Sequence, residues 1–461
     1  MRSSWLIECI RRHFPSGTAP DPVRFREALA RRLADLRGLN GIRHQLASLV
    51  SVAVAGTAAG LGGPLAIAQA AAGWDQDVLA VHGCRVSPRT GLRVAPSAST
   101  LGRLPAMIDP DGFEAALTAC VAEAALDPAV PAAYAAHRTE QQRAKDENRK
   151  RRKRKPPAAE SFREQRQDGW FRAHPLHPWL DPAVLSDPGH VPARRAAAVD
   201  GKERKLAKAG QNKKVHLLAA VTHVPGLVIA QDRVAKSGKA NEITHFRPLL
   251  EPLPLDDVLI TADAMQTTRD NARFLREVKH AHFLWPVLGN QPKLQEQLNA
   301  LPWETVPAAA TSEISRGRIE TRTIRVFPAP QGTGFQDAEQ AILIERYTTY
   351  KKKGQWLTRA EAVLYITSLA ADQTTPEDLL AHVRGHWRIE HAHWLRDVIW
   401  KEDKSLIRTG NAPQVWSAIT NLVITLFRIH GVTSYTEETR RCAQDPRRTL
   451  RLLDLTGLSP G

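Results

Sequence analysis

From residue 196 onward the chain alternates short apolar runs with helix-length amphipathic ones, and this order limits the fold more than any other feature. Runs 196–199, 215–222 and 227–234 are strand-like, 242–250 has helical spacing, 258–262 is again strand-like, 268–279 is helical and 283–288 is a strand. Such alternation predicts an α/β sheet. Only His223-Val224-Pro225-Gly226 separates the second and third runs. That is too short for a crossover, so those strands pair antiparallel and the sheet has mixed directions. From 303 to 369 the signals are mostly strand-like, at 318–327, 341–347 and 362–366, and helical spacing returns from 376 to about 430.

The first 126 residues have a different texture. Phe25, Leu29 and Leu33, and later Phe113, Leu117 and Val121, repeat at spacings of four, which is a helical period. Between them, 45–74 is thirty residues without a charge, long enough to span a bilayer. It consists mainly of Ala, Gly, Ser and Val, with Gly62-Gly63-Pro64 in its middle, and lacks the Leu, Ile and Phe density that drives insertion. Two small-residue helices broken at 62–64 are expected, packed within a helical bundle and not in a membrane. The expected organisation is an all-helical N-terminal domain (1–130), a basic, Pro-rich linker (131–192), an α/β domain (193–435) with a strand-rich insertion at about 300–372, and a C-terminal tail (436–461).

Charge is unevenly placed. The 461 residues include 64 Lys plus Arg against 48 Asp plus Glu, a net +16. Ten basic and three acidic residues in 138–155 give +7, and six basic and one acidic in 202–214 give +5, leaving +4 elsewhere. Excess charge concentrated in this way fits a polyanionic partner, first of all nucleic acid. The run Arg149, Lys150, Arg151, Arg152, Lys153, Arg154 and Lys155 offers seven cations for counterion release along a phosphate backbone. Cys9, Cys84, Cys120 and Cys442 lie far apart with no C-x-x-C pair, which argues against a disulfide scaffold and for a reducing compartment. Arg2, Glu8, Arg11 and Arg12 interrupt the first fourteen residues, so no uninterrupted secretory h-region is present there and a cytoplasmic location is expected.

Three carboxylates stand where chemistry is possible. Asp200 closes the first apolar run and Asp263 closes 258–262; carboxylates at the ends of adjacent core strands converge on a point, as hard cations require. The alternative for each is a turn or helix-cap role. Glu390 lies in 383–397, where His386, Glu390, His393 and Asp397 fall at i, i+4, i+7 and i+11 and share a helical stripe, with Val383, Trp387, Trp394 and Val398 as the neighbouring apolar stripe. This puts Glu390 at a seam between buried and polar faces. A zinc site on His386, Glu390 and His393 lacks both the H-E-x-x-H order and a nearby Cys.

Ala198-Val199-Asp200-Gly201-Lys202, Val215-His216-Leu217-Leu218-Ala219, Asn241-Glu242-Ile243-Thr244, Thr261-Ala262-Asp263-Ala264, Gly289-Asn290-Gln291-Pro292, Arg384-Gly385-His386-Trp387-Arg388-Ile389-Glu390, Glu402-Asp403-Lys404-Ser405 and Arg408-Thr409-Gly410-Asn411-Ala412-Pro413 occur in this order. Together these eight strings resemble the bacterial insertion-sequence transposases of the DDE type, in the branch of the H-repeat-associated proteins. The resemblance runs with gaps from about residue 29 to the C-terminus. Departures from the wider pattern are Val383, His386 and Asp397, where many relatives carry Tyr, Arg and Lys, and Leu288, where a Lys often precedes Gly-Asn-Gln. The basic linker is also longer than that of relatives.

The resemblance implies a ribonuclease-H-like catalytic domain with a strand-rich insertion before the last catalytic helix. It makes Asp200, Asp263 and Glu390 the acidic triad, separated by 63 and 127 residues, the second interval being long enough for the insertion. It also implies two Mg²⁺ ions, with Mn²⁺ as a substitute, held by the triad. The expected reaction is DNA strand cleavage at element ends and strand transfer into target DNA by a homodimer in a bacterial, nucleoid-associated setting. Lys202, Arg384 and His386 are candidate phosphate contacts. Asn290 and Gln291 are candidates with a turn role as the alternative, and 149–155 is a candidate backbone track. Two other functions fit the same residues: an inactive, transposase-derived DNA-binding protein, and a ribonuclease-H-like nuclease without strand transfer.

Overall fold

The computed structural model describes residues 42–152, 185–208, 214–234, 242–315, 317–353 and 355–453, with a few positions between 30 and 37. The charge-free stretch forms helix α1 (Leu46–Ala58), every residue of which is buried, and α2 (Pro64–Ala72), which begins at the proline. Gly56 lets the two meet: a Cβ there would lie 2.6 Å from Ile67 Cγ1. Short helices α3 (Gln76–Val81), α4 (Ala98–Gly102) and α5 (Leu104–Met107) follow. Then come α6 (Pro110–Ala125), capped by Asp109 through its bond from the Gly112 amide, and α7 (Val130–Arg152). Among the described residues no helix is long and apolar enough to cross a membrane.

The segment expected to be an extended linker is therefore a 23-residue helix as far as Arg152. Ala, Glu, Gln, Lys and Arg dominate it, and these are strong helix formers even when highly charged. Residues 153–184, including Lys153, Arg154 and Lys155 of the basic run, lie outside the described residues.

The α/β part builds a nine-stranded sheet in the order β3-β2-β1-β4-β5-β9-β8-β7-β6. Its first strands are β1 (Ala196–Lys208), β2 (Lys214–Thr222) and β3 (Val228–Val234), an antiparallel meander. Helix α8 (Glu242–Leu250) leads to β4 (Leu259–Ala262), and α9 (Arg269–Arg273) with a π-turn (Phe274–Val278) leads to β5 (His282–Val287). Strands β1, β4 and β5 are parallel. After α10 (Pro292–Asn299), the strands β6 (Ala309–Ser315), β7 (Arg318–Pro328), β8 (Gln340–Lys352) and β9 (Gln355–Thr367) form a second meander. It joins the same sheet through β9 antiparallel to β5. The strand-rich stretch is thus an extension of the central sheet.

Alternation along β1 and β4 sorts their side chains onto two faces. Ala197, Val199, Ile260 and Ala262 pack with Phe246, Leu249 and Phe274 on one side. Ala196 and Leu259 pack with Leu379 and Leu380 on the other, and Ala198 packs there with Ile389 and Ala392. This second face is covered by α11 (Pro376–Gly385) and α12 (Trp387–Val398). Helix α13 (Ala412–Ile429) is buried over nearly all its length. Beyond it, α14 (Tyr435–Gln444) and α15 (Pro446–Leu453) bury Cys442, Leu452 and Leu453, so residues 436–453 are packed helices, not the expected tail. One apolar core joins α1 and α2 to α13 and to these last helices, and Trp400 Nε1 donates to the Thr57 carbonyl at 2.8 Å.

Candidate active site

Strand register brings two of the three carboxylates together. β1 and β4 pair from Ala196↔Leu259 to Val199↔Ala262, so Asp200 and Asp263 are the next residues along adjacent parallel strands. Each lies two positions beyond a residue of the α11–α12 face, Ala198 and Thr261, and so points to the same face. The Gly201 amide donates to Asp200 Oδ1 at 2.7 Å. A Cβ at Gly201 would lie 2.4 Å from Glu242 Oε1 and 2.5 Å from His216 Nε2, so glycine after the aspartate is a packing requirement on the far face.

The third carboxylate arrives on α12. Helix α11 ends and α12 begins at His386, which keeps helical backbone torsions. His386 Nδ1 lies 3.1 Å from Thr261 Oγ1, and its Nε2 lies 3.7 Å from Asp263 Oδ1. One helical turn and then nearly two turns further on come Glu390 and His393, and His393 Nδ1 is 3.4 Å from Asp200 Oδ2. The stripe His386, Glu390, His393 and Asp397 therefore runs along the top of β1 and β4. Of the expected apolar partner stripe, Val383 packs against the core, whereas Trp387, Trp394 and Val398 are 55%, 53% and 48% exposed. Ile389, Ala392, Leu395 and Arg396 are the residues that pack inward. The polar stripe has its buried flank on the opposite side from the tryptophans.

Electrostatics tie the three carboxylates into one site. Burial pushes the Asp200 pKa up, but the hydrogen bond and charge of His393, the Gly201 amide and the charge of His386 outweigh it, and the net shift is downward. Glu390 shifts upward, through desolvation first, with the negative charges of Asp200 and Asp263 adding and His386 opposing. A glutamate whose proton affinity is raised by two neighbouring aspartates suits a divalent cation, which relieves that repulsion with hard oxygen donors. Among the described residues no group of three or more His, Cys, Asp or Glu side chains is gathered closely enough to hold a metal ion, so the three carboxylates share one face without forming a preassembled cluster.

Other predicted residues have different neighbours. Lys202 is 8% exposed and its Nζ lies 2.6 Å from Asp397 Oδ2 and 4.0 Å from Asp403 Oδ1. It braces β1 against α12, because a buried ammonium needs carboxylate partners. Arg384 pairs with Glu313 of β6 at 2.8 Å and donates to the Pro188 carbonyl at 2.5 Å. Asn290 Nδ2 donates to the Ala264 carbonyl at 2.6 Å and Gln291 Nε2 to the Thr267 carbonyl at 2.8 Å. Both tie down the segment that follows Asp263, which is the turn role. Arg149, Lys150, Arg151 and Arg152 form the last turn of α7.

Sequence reasoning missed the ion network behind the site. Glu402 is 7% exposed and pairs with Arg396 and, at 3.1 Å, with Arg204. Burial opposes its ionisation, but the charges of Arg396 and Arg204 hold its carboxyl well below the usual range. Glu402 opens one of the eight strings, and that was the available signal.

The family model described as "Transposase DDE domain" matches residues 190–426, more than half of the chain. The chain belongs to the DDE transposase family. A second model, described as DDE_Tnp_1-associated, matches 28–121 in the helical N-terminal part. The transposase candidate YncI of Escherichia coli O157:H7 is 33% identical over 50% of this chain and 61% of its own length. The H-repeat-associated transposase candidate YhhI of Escherichia coli K12 is 28% identical over 57% of this chain and 72% of its own. The chain thus spans under two thirds of the first relative. A piggyBac transposase synaptic complex with hairpin DNA aligns with a TM-score of 0.32 at 13% identity, over 56% of this chain and 53% of that one. The bacterial insertion-sequence character expected from the motifs holds, down to the H-repeat-associated branch.

Proposed function

We propose that this DDE transposase family member catalyses metal-dependent DNA strand cleavage at element ends and strand transfer into target DNA. The observation that carries the reading is the register of β1 and β4, which sets Asp200 beside Asp263 under the helix that bears Glu390. The strand order β3-β2-β1-β4-β5, an antiparallel meander followed by two parallel strands, supports a ribonuclease-H-like catalytic core. The strands β6 to β9 then form the insertion between Asp263 and Glu390.

Asp200, Asp263 and Glu390 would together hold the two Mg²⁺ or Mn²⁺ ions. When bound, such ions activate an attacking oxygen and stabilise the leaving one in displacement at phosphorus. The chain's own groups orient this arrangement. His393 and the Gly201 amide fix the Asp200 carboxylate, His386 and Thr261 stand beside Asp263, and Asn290 and Gln291 hold the following segment. Terminal inverted repeats and target DNA are the proposed substrates, and a homodimer would hold two ends together. A bacterial cytoplasmic setting follows from that reaction.

The test is Asp263→Asn on labelled duplexes that carry the element's terminal repeats, with Mg²⁺. Cleavage should be lost while DNA affinity stays near wild type. Retained cleavage overturns the triad. Cleavage by the wild type without joining indicates a nuclease, and binding without either reaction indicates an inactive DNA-binding protein.

A further inference from the structure

Next to the active site, the sheet face that carries α11 continues outward along β7, β8 and β9 as a patterned charged surface. Ile324, Ile342 and Ile344 pack under α11. In the same alternation come Arg322, Glu320 and Arg318 on β7, opposite Arg346, Thr348 and Tyr350 on β8. Glu320 is only 6% exposed, and three guanidinium groups gather on it: Arg318 at 3.0 Å, Arg322 at 2.5 Å and Arg346 at 3.5 Å. Flanking carboxylates are shared in the same way. Glu313 pairs with Arg322 and Arg384, and Glu361 with Arg346 and Arg359. Five arginines thus face three glutamates, a surplus of two positive charges.

The donor count matters more than the charge. Each guanidinium has five N–H donors, and Glu320 has two oxygens for three of them. The shared carboxylate fixes the rotamers, and the surplus donors remain for another acceptor, so a ligand meets a preorganised row at small entropic cost. Arg318 is 44% exposed on its side chain. Arg346 connects the row to the site: its guanidinium lies over the exposed Trp387 ring at 5.7 Å, and its positive charge acts on Glu390. Planar, bidentate guanidinium groups fit phosphate oxygens better than any other side chain.

We propose that Arg318 and Arg346, organised by Glu320, bind phosphates of the DNA strand that leaves the catalytic centre across β7 and β8. The inference rests on the DNA reaction proposed above and adds a track for its substrate.

The test is the salt dependence of binding of the full chain to a fluorescent duplex with a terminal repeat. Arg318→Ala and Arg346→Ala should each flatten the plot of log affinity against log salt by about 0.9, the value for one lost phosphate contact on a duplex. Arg346→Lys should recover most of the slope. Arg273→Ala, which removes an exposed arginine of α9 on the opposite face that pairs with Asp270 and Glu277, should leave the slope unchanged. Circular dichroism and melting of each variant identify any that fail to fold, and Arg318→Ala, at the more exposed position, then carries the comparison. Wild-type slopes in folded Arg318→Ala and Arg346→Ala overturn the track. Mg²⁺-dependent cleavage by the wild type is scored separately: cleavage with unaltered variant slopes sinks the track alone, and altered slopes without cleavage sink the transposase reaction alone.

Discussion

Lys202 Nζ lies 2.6 Å from Asp397 Oδ2, which fastens the strand of Asp200 to the helix of Glu390 at a point beyond both carboxylates. The lysine is two residues past Asp200 and the aspartate seven past Glu390, so the pair sets the slide of α12 along β1. Replacing Lys202 with Met should lower stability by roughly 1–3 kcal/mol, less than the 3–5 of a fully buried pair because Asp397 is about one third exposed. Urea unfolding measures this. The salt dependence of DNA binding should stay at its wild-type slope, since this ammonium is committed inside the protein; a flatter slope would restore Lys202 as a phosphate contact.

Asn290 and Gln291 act on Asp263 through backbone carbonyls at 264 and 267. Asn290→Ala should let the Asp263 turn drift and reduce the cleavage rate on the order of tenfold, because small misplacements of a catalytic group are costly. DNA affinity should be nearly unchanged. A loss of affinity with an intact cleavage rate would make Asn290 a DNA contact and not a tether.

The interface between α6 and the sheet contains a buried acid. Glu114 Oε1 accepts from Gln231 at 2.5 Å and Oε2 from Gln414 at 3.1 Å, and Asn421 in turn donates to Gln231 at 2.8 Å. Burial pushes the Glu114 carboxyl from its ordinary 4.5 up to about 8, although both glutamine bonds oppose the shift. The folded protein therefore binds a proton that the unfolded chain releases above 4.5. This contribution is complete below pH 4.5 and is lost as pH rises towards 8, with a limiting slope of about 1.4 kcal/mol per pH unit. Urea midpoints between pH 5 and 8 should fall in the wild type and be flatter in Glu114→Gln. Parallel slopes in the two proteins would place the titrating group elsewhere.

These residues show what a sequence can and cannot convey. Strands β1 to β5 were legible because apolar runs of strand length alternate with helical spacing, and 242–250 is helical as read. The adjacency of Asp200 and Asp263 was legible only as convergence of strand ends, since the β1–β4 register is a non-local pairing. Lys202 and Arg384 look like free cations in a sequence, because charge does not reveal a carboxylate 195 residues away, as for Lys202 and Asp397. Trp387 and Trp394 look like core, yet the buried flank of α12 is set by which side meets β1 and β2. Glu320 gave no signal at all: its three arginines converge on it only because β7 and β8 pair as they do.

Helix α7 ends in Arg149, Lys150, Arg151 and Arg152, and earlier along it Arg138 donates to the Gly189 carbonyl at 2.9 Å. Deleting 149–155 leaves the helix up to residue 148 and its anchor at Val130, which is 1% exposed, so the fold should persist. Each cation of the run that neutralises a duplex phosphate contributes about 0.9 to the salt slope. If most of the seven act together, the slope should fall by several units, well beyond the change expected for Arg318 or Arg346. Because residues 149–152 and the sheet-face arginines belong to different elements, α7 against β7 and β8, their effects should add. An unchanged slope in the deletion would show that the run does not touch DNA and would leave the sheet-face arginines as the principal backbone contacts.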